Sequence, residues 1–315
     1  MPLARLGLAG DDNGVAVAVG AVLLLALLVT VYGVALQAEV PRAGAVAERQ
    51  WENEVEAAFA AFAVALGRAV GDGASAEVTL PGPPQPEVVA VPLLPPARPA
   101  PPGGTLTFEA QCAGFSATHT LPGEGPVTDL AGAATGCLRF RPSPAHAPMA
   151  DYVYELGGVL RVQEGRAVVL QGPSFVVNES TPGVHRVTFT LAGLRGPSQS
   201  TSAAPEGVPV QAVVAARALE QVEGPNAAEA TWLFSTRYAD AWRVWFEEKA
   251  TEAGLPPSAL RVRCLTDKGT PDLQCAVPEG RLGTVEVYLR GRNPQSTVGD
   301  LQVSLSYAVL DLRLG

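Results

Sequence analysis

An uncharged, apolar run near the N-terminus constrains this chain more than any other feature. Residues 13–38 carry no charged side chain, and residues 15–36 read VAVAVGAVLLLALLVTVYGVAL. A helix of these 22 residues is about 33 Å long, which matches the hydrocarbon core of a bilayer. The polar side chains within it are Thr30, whose hydroxyl bonds back to its own helix, and Tyr32, which suits the membrane interface. The sequence therefore predicts a transmembrane helix over residues 15–37.

Two other interpretations of the apolar run are open. A buried helix of a soluble core is apolar, but it is rarely this long and this uniform. A removable signal peptide ends in small residues, and Ala35 and Ala38 fit that requirement. The apolar part of a signal peptide is shorter, however, and follows a basic segment, whereas Arg5 is the only basic side chain before this run. A retained membrane anchor is therefore favoured.

The cysteines indicate where the rest of the chain lies. There are four, all after the apolar run: Cys112, Cys137, Cys264 and Cys275. None belongs to a CxxC motif, and with three histidines in the chain there is no zinc-ligand spacing, so all four are disulfide candidates. Pairing of sequence neighbours is one of three connectivities. Because disulfides persist in oxidising compartments, we expect a single-pass protein of the cell membrane, with residues 1–14 cytoplasmic and the large C-terminal part extracytoplasmic.

A second helical pattern covers residues 43–72, after Pro41 has interrupted the first helix. Its apolar side chains recur every three or four residues and form one stripe: Trp51, Val55, Phe59, Phe62, Leu66 and Val70. The charged residues lie mostly off this stripe, and Gly71 ends the pattern. We expect an amphipathic helix whose apolar face packs either on the protein's own β domain or against neighbouring subunits.

Prolines dominate residues 81–104, where they occupy ten of 24 positions. Each proline fixes φ and removes a backbone donor, so helix and interior strand are both excluded. The composition predicts an extended, semi-rigid spacer between the amphipathic helix and the remainder of the chain.

Short runs of alternating apolar residues separated by turn signals fill residues 105–315. The predicted fold is therefore mainly β (α+β), with a β-sandwich-like extracytoplasmic domain. One helix is expected within it, over residues 227–253, with Asn226 as the N-cap and Gly254 after its end. It carries Trp232, Trp242 and Trp245, which we interpret as core residues that cover one face of the sheet.

The sequence contains no pattern that predicts catalysis, and we expect no catalytic residue, no cofactor and no metal site. Phosphate loops, dinucleotide fingerprints, HExxH motifs and nucleophile elbows are absent. Glu52, Glu54 and Glu56 are alternate residues of a helix, so they do not share a face and are interpreted as solvated. The net charge of −9 excludes the basic footprint of a nucleic-acid binder. Asn178 begins the sequon Asn178-Glu179-Ser180, a candidate glycosylation site of low specificity.

The start of the apolar run resembles archaeal type IV pilin-like proteins. Asn13 and Gly14 precede the Val-rich residues 15–19, and Val22-Leu23-Leu24-Leu25 follows. The resemblance implies a leader of residues 1–14, cleavage by prepilin peptidase after Gly14, and packing of the N-terminal helix against other pilin-like subunits. Asn13 and Val19 differ from the basic residue and the glutamate that the family often has at those positions.

The order of segments is also similar to a family of uncharacterised haloarchaeal membrane-anchored surface proteins. The similarity rests on the Val40-Pro41 break, the Glu-rich helix and the proline-rich stretch before Gly104-Thr105-Leu106. It implies location and architecture only. We expect a single-pass surface protein with a structural or adhesive role, whose partners are the lipid bilayer and pilin-like subunits. The alternatives are an accessory subunit of a pilus or secretion assembly, and a membrane-tethered envelope glycan hydrolase, which would need two carboxylates in one cleft.

Overall fold

A computed structural model shows a mostly β protein with one long N-terminal helix and a large mixed sheet, as the sequence predicts. The residues that the structure describes are 12–85, 88–89, 98–181, 184–214, 220–255, 258–265, 269–272, 275, 277, 281–291 and 301–314.

The first helix, α1, is continuous from Asp12–Asp72 and contains 61 residues, which gives it a length of about 90 Å. The expected break at Pro41 is wrong. A proline inside a helix costs about 3 kcal/mol because it removes one backbone hydrogen bond and crowds the preceding turn. Here the helix continues through Pro41 because good helix formers flank it and because the residues from Gly44 onwards pack on the sheet. The predicted membrane helix and amphipathic helix are therefore one element.

The strands lie between α1 and the C-terminus, with a single further helix, α2, among the described residues at Ala239–Glu252. Their bounds are β1 Ala76–Leu80, β2 Gly103–Thr120, β3 Pro126–Ser143, β4 Asp151–Glu155, β5 Gly158–Gln163, β6 Arg166–Gln171, β7 Ser174–Thr181, β8 Val184–Arg195, β9 Gln199–Ser202, β10 Val208–Val214, β11 Glu220–Ala227, β12 Glu229–Thr236, β13 Leu260–Leu265, β14 Pro271–Asp272, β15 Gly283–Arg290 and β16 Leu301–Leu314.

The strand order along the sheet is β1-β10-β16-β8-β3-β2-β12-β15-β13-β14, and β4, β5 and β6 branch from β3 as successive hairpins. All of these pairs are antiparallel except β16 with β8, which run parallel from Leu301 beside His185 to Asp311 beside Arg195. Among the described residues, the half of the sheet that ends at β8 and the half that begins at β3 join at one pair, Gly136 with Leu194. They also face each other, since Phe115 of β2 packs on Phe189 of β8 with ring centroids 6.3 Å apart. This arrangement is the expected sandwich-like layering.

The predicted helix over residues 227–253 is wrong at its N-terminal end. Asn226 lies in β11 and is not an N-cap, and residues 229–236 form β12. In β12 every second side chain is buried, including Ala230, Trp232 and Phe234, so the period is two rather than 3.6. The helix begins twelve residues later than predicted, at Ala239, because β12 finds partners on both sides, β2 and β15, and this pairing outweighs local helix propensity.

Two hydrophobic cores are present. The first lies between the two halves of the sheet and under α2, and it is rich in aromatic rings, among them Phe115, Phe189, Phe234, Trp232, Trp242 and Phe246. The second lies between the C-terminal half of α1 and the sheet. All six residues of the predicted stripe are in this second core, each at most 2% exposed. The apolar face of α1 therefore packs on the protein's own β domain.

The proline-rich segment does not separate α1 from the β domain. Before it, β1 already pairs with β10, and the Trp51 indole donates to the Pro81 carbonyl at 3.0 Å. Gly82 approaches the Ala204 carbonyl so closely that a Cβ there would lie 2.2 Å from it. Strand β2 begins at Gly103, inside the predicted spacer. The expected spacer over residues 81–104 is thus partly domain surface, and residues 90–97 lie outside the described residues.

We expect the stripe on α1 to carry much of the domain's stability. Substitution Phe62→Ala removes a fully buried ring and should lower the free energy of unfolding by about 3–5 kcal/mol. Substitution Val46→Ala on the same helix should change it little, because Val46 is 66% exposed. Urea unfolding of the detergent-solubilised full chain measures both. Equal effects of the two substitutions would contradict the packing of the apolar stripe of α1 on the sheet.

Candidate functional site: the N-terminal helix and its attachment to the sheet

The N-terminal half of α1 is covered by nothing among the described residues. Its large aliphatic side chains are between 53 and 73% exposed: Val17, Val19, Val22, Leu23, Leu24, Leu25, Leu27, Leu28, Val29, Val31 and Val34. The Thr30 hydroxyl donates to the Ala26 carbonyl at 2.8 Å, so this polar group is satisfied within the helix. Apart from α1, no described helix is both long and apolar enough to cross a membrane. Contiguous apolar surface of this extent marks a site of contact with lipid or protein.

The attachment of α1 to the domain begins at Gly44. A Cβ at this position would lie 2.1 Å from Cδ2 of His146, so only glycine lets the helix backbone approach the imidazole this closely. Residue 44 is eight residues beyond the end of the apolar run, which is about 12 Å along the helix axis. The exposed and the attached parts of α1 are therefore separated by only about two turns.

A buried carboxylate fixes the next turn of α1. Glu48 is fully buried, and its two oxygens accept hydrogen bonds from three successive backbone N–H groups of the β3–β4 loop. The donors are Ala145 at 2.6 Å, His146 at 3.0 Å and Ala147 at 2.5 Å. Such a concave set of amides is a favourable site for an anion. Here the anion is a side chain of the helix, so the carboxylate holds α1 to this loop.

Two further acids continue the row along the same face of α1. Glu52 accepts from the Arg161 guanidinium at 3.0 Å and from the Ala150 N–H at 3.2 Å. Glu56 accepts from the Tyr152 hydroxyl at 3.0 Å. Burial, the charge of Glu52 and the hydrogen bond to Glu56 raise the pKa of Tyr152 above its usual range, so its proton stays available for this bond.

The interpretation of Glu52, Glu54 and Glu56 as a solvated face is wrong for Glu52 and Glu56, although Glu54 is exposed as expected. Residues 48, 52 and 56 follow one another at intervals of four, which places them on one side of a helix. That spacing was available in the sequence as a signal. It did not identify their partners, which lie about 100 residues further along the chain.

The structure also places the other predicted site residues. Disulfides join sequence neighbours, Cys112 with Cys137 at a Cα separation of 5.8 Å and Cys264 with Cys275 at 5.2 Å. Asn178 is exposed on the edge strand β7, and its glycosylation stays a prediction. Gly14 is the third residue of α1, and cleavage after it stays a prediction as well.

One acid lies deep in the aromatic core. Glu155 ends β4, is 1% exposed, and accepts at Oε1 from the Trp242 indole N–H at 2.7 Å and from the Thr236 hydroxyl. Burial raises its pKa to about 7, although both hydrogen bonds and the charge of Arg237 act in the opposite direction. Its other oxygen, Oε2, lies 3.6 Å from the Cys137 sulfur. No feature of the sequence distinguished this acid.

None of three cavities that open on the described surface combines two acids. The first, about 380 Å³, lies between α1 and the β6–β7 connection, and Arg68 is its one charged lining residue. The second, about 580 Å³, lies between that connection and α2 and contains Glu252, paired with Lys249. The third, about 280 Å³, lies over β2 and β3, where Glu109 stands beside two arginines. No group of three potential metal ligands occurs in the described part of the chain.

Comparison with protein-family models, with curated proteins and with solved structures finds no match. Conclusions about function therefore rest on the geometry of this chain.

We expect Glu48 to be essential for the attachment of α1. Substitution Glu48→Ala leaves three backbone N–H groups of the β3–β4 loop without their acceptor, and should lower the free energy of unfolding by about 3–5 kcal/mol. The matched control is Glu54→Ala, six residues along the same helix, where the exposed carboxylate accepts a hydrogen bond from Gln50. Urea unfolding measures both, and a Glu48→Ala variant as stable as the control would contradict this role.

The buried Glu155 should make stability fall as the pH rises. The unfolded carboxyl ionises near its ordinary pKa of 4.5 and the folded one near 7, so between these values the folded state holds a proton that the unfolded state has released. Relative to Glu155→Gln, the wild-type protein should therefore lose about 3 kcal/mol of unfolding free energy between pH 4.5 and pH 7.5. Denaturant unfolding at both pH values tests this. A stability difference that does not vary with pH would exclude it.

Proposed function

We propose that this chain is a single-pass, membrane-anchored protein whose β domain stands on the extracytoplasmic side of the membrane. The observation that carries the proposal is the continuity of α1. One helix has an exposed apolar half of membrane-spanning length and a second half fixed in the core of the domain. An apolar helix of this kind is stable in a bilayer because it satisfies its own backbone hydrogen bonds.

Direct continuity of α1 supports a position of the β domain close to the bilayer and in a defined orientation. About two helical turns separate the end of the apolar run from Gly44, the first residue packed on the domain. Neither a glycine-rich linker nor a proline spacer intervenes between them. A rigid connection of this kind transmits position and force between membrane and domain, which suits a structural or adhesive protein.

The two disulfides support the extracytoplasmic side. Both lie within the β domain: Cys112–Cys137 joins β2 to β3, and Cys264–Cys275 joins β13 to a residue beyond β14. Stable disulfides form in oxidising compartments. With the β domain outside, residues 1–14 remain on the cytoplasmic side.

The same geometry supports a pilin-like role as the more specific form of this proposal. The exposed half of α1 offers an apolar surface that, after removal of residues 1–14 at Gly14, packs either in lipid or against the corresponding helices of other subunits. In either setting the attached half of α1 keeps the β domain at a fixed angle to the exposed half of the same helix.

We expect full-length protein to remain in the membrane fraction after alkaline carbonate extraction. Replacement of Leu24 and Leu25 by arginine should release it, because each charge at the centre of a spanning helix costs about 2.5–3.5 kcal/mol of insertion free energy. The control is Val46→Arg, an equally exposed position beyond the apolar run, which should remain membrane-bound. Release of the wild-type protein by carbonate would contradict anchoring.

The N-terminus of the protein recovered from the envelope separates the specific forms of the proposal. A first residue of Val15 supports pilin-type processing, and an intact N-terminal segment supports a plain anchor. A first residue near Glu39 identifies a removed signal peptide and overturns membrane anchoring altogether. Electron microscopy of the purified Val15 form then distinguishes filaments from single subunits.

A further inference from the structure

The environment of Glu155 has a second consequence, which concerns the adjacent disulfide. A buried acid without a cation in contact is costly, and such groups concentrate at sites of chemistry. One oxygen of Glu155 is satisfied by two neutral donors, the Thr236 hydroxyl and the Trp242 indole. The other, Oε2, faces the Sγ atom of Cys137 at 3.6 Å. In the disulfide this sulfur has no proton, whereas the reduced thiol would have one to share with Oε2.

We propose that Cys112–Cys137 is a thiol–disulfide exchange site whose substrate is an external dithiol, and that Glu155 passes a proton to and from Cys137. The carboxyl group is in contact with the sulfur that leaves or attacks, and it is shielded from solvent on all sides by the aromatic core. This inference goes beyond the proposed membrane anchoring and does not depend on it.

The partner sulfur lies under an irregular part of the sheet. Pairing between β2 and β3 is interrupted between Glu109 and Ala113, so residues 110–112 form a bulge that is not in register with β3. Ala110 and Gln111 are exposed, and Gln111 has a φ of 60°, a conformation that is unfavourable for a residue other than glycine. Cys112 itself is 3% exposed. Local opening of the bulge therefore gives a thiolate access to Cys112 while Cys137 stays beside Glu155.

The exchange consists of two successive thiolate attacks. A thiolate of the dithiol attacks Sγ of Cys112, the Cys112–Cys137 bond breaks, and Cys137 leaves as a thiolate that takes the proton of the Glu155 carboxyl group. The second thiol of the dithiol, once deprotonated by solvent, attacks the mixed disulfide and releases Cys112 as a thiolate. Solvent then protonates the Cys112 thiolate and returns a proton to the Glu155 carboxylate. The dithiol is oxidised to its disulfide, and the protein gains two electrons and two protons. In the reverse direction the Glu155 carboxylate accepts the Cys137 proton as the disulfide forms.

Burial keeps the proton of Glu155 available near neutral pH, although the hydrogen bonds from Thr236 and Trp242 act in the opposite direction. Burial raises the pKa of the carboxyl group to about 7, against the opposing effect of Arg237, whose guanidinium is paired with Glu109. Tyr238 lies nearby, and burial raises its pKa as well, so it remains neutral. Thr236 and Trp242 do not titrate. A proton donor of this pKa is well matched to a leaving thiolate.

The second disulfide provides an internal control. Cys264–Cys275 has the same chemistry and is also buried, with its cysteines 2% and 6% exposed. Neither of its sulfur atoms lies within hydrogen-bonding distance of a carboxylate among the described residues. Only Cys112–Cys137 should therefore show the kinetic effect of a neighbouring acid.

The test is the rate at which dithiothreitol reduces each disulfide of the folded full chain, read by alkylation and mass spectrometry between pH 6 and pH 8.5. Rates are divided by the dithiothreitol thiolate concentration, so that only the protein's own titration remains. For wild-type protein the corrected rate constant of Cys112–Cys137 should fall roughly tenfold as Glu155 loses its proton. It should stay level in Glu155→Gln, which keeps a hydrogen-bond acceptor but has no acidic proton, and Cys264–Cys275 should stay level in both.

Three results would overturn the proposal: a level profile for Cys112–Cys137 in wild-type protein, the same falling profile in Glu155→Gln, or one common rate for both disulfides, which signals reduction through global unfolding. If Glu155→Gln does not fold, the comparison of the two disulfides within the wild-type protein still decides. Glu155→Asp, which retains an acid, should then show part of the wild-type pH dependence.

Discussion

The packing of α1 on the sheet is the contact on which the rest of the structure depends. Its apolar stripe supplies the burial, with Trp51, Phe59 and Phe62 fully enclosed. Burial alone is non-directional and would allow the helix to slide. The carboxylate of Glu48 prevents this, because its three amide donors occupy fixed positions in one loop. Together they turn an apolar helix of membrane-spanning length into a rigid extension of the β domain.

Two buried carboxylates show how the surroundings assign different roles to one type of side chain. Glu48 accepts hydrogen bonds from three backbone amides, which fix a helix. Glu155 is buried among aromatic rings and lies against a disulfide, and this burial raises its pKa to about 7 even though two neutral donors bond to it. The first arrangement stabilises the attachment of α1. The second arrangement lowers stability, and its position beside Cys137 suits the proposed proton transfer to that sulfur.

Sequence periodicity predicted much of the fold. The stripe from Trp51 to Val70 is buried as expected, because a helix brings residues three and four apart to one face. The same rule failed at residues 227–238, which were predicted to be helical. Trp232 and Phe234 there follow the period of two of a strand. Pro41 did not end its helix, since the packing of the following turns of α1 on the β domain compensates for one lost hydrogen bond. At the attachment site, only the apolar residues were predictable.

The sequence by itself determined those properties that depend on neighbouring residues: an apolar run long enough to span a membrane, an amphipathic face after it, and β strands marked by alternation. The tertiary structure alone decided which polar groups were buried and what they met. Glu48, Glu52 and Glu155 acquire their partners from residues 81 to 109 positions away, and no local pattern encodes such pairings. The reason is physical, since burial of a charge is favourable only where distant backbone and side chains already converge to receive it.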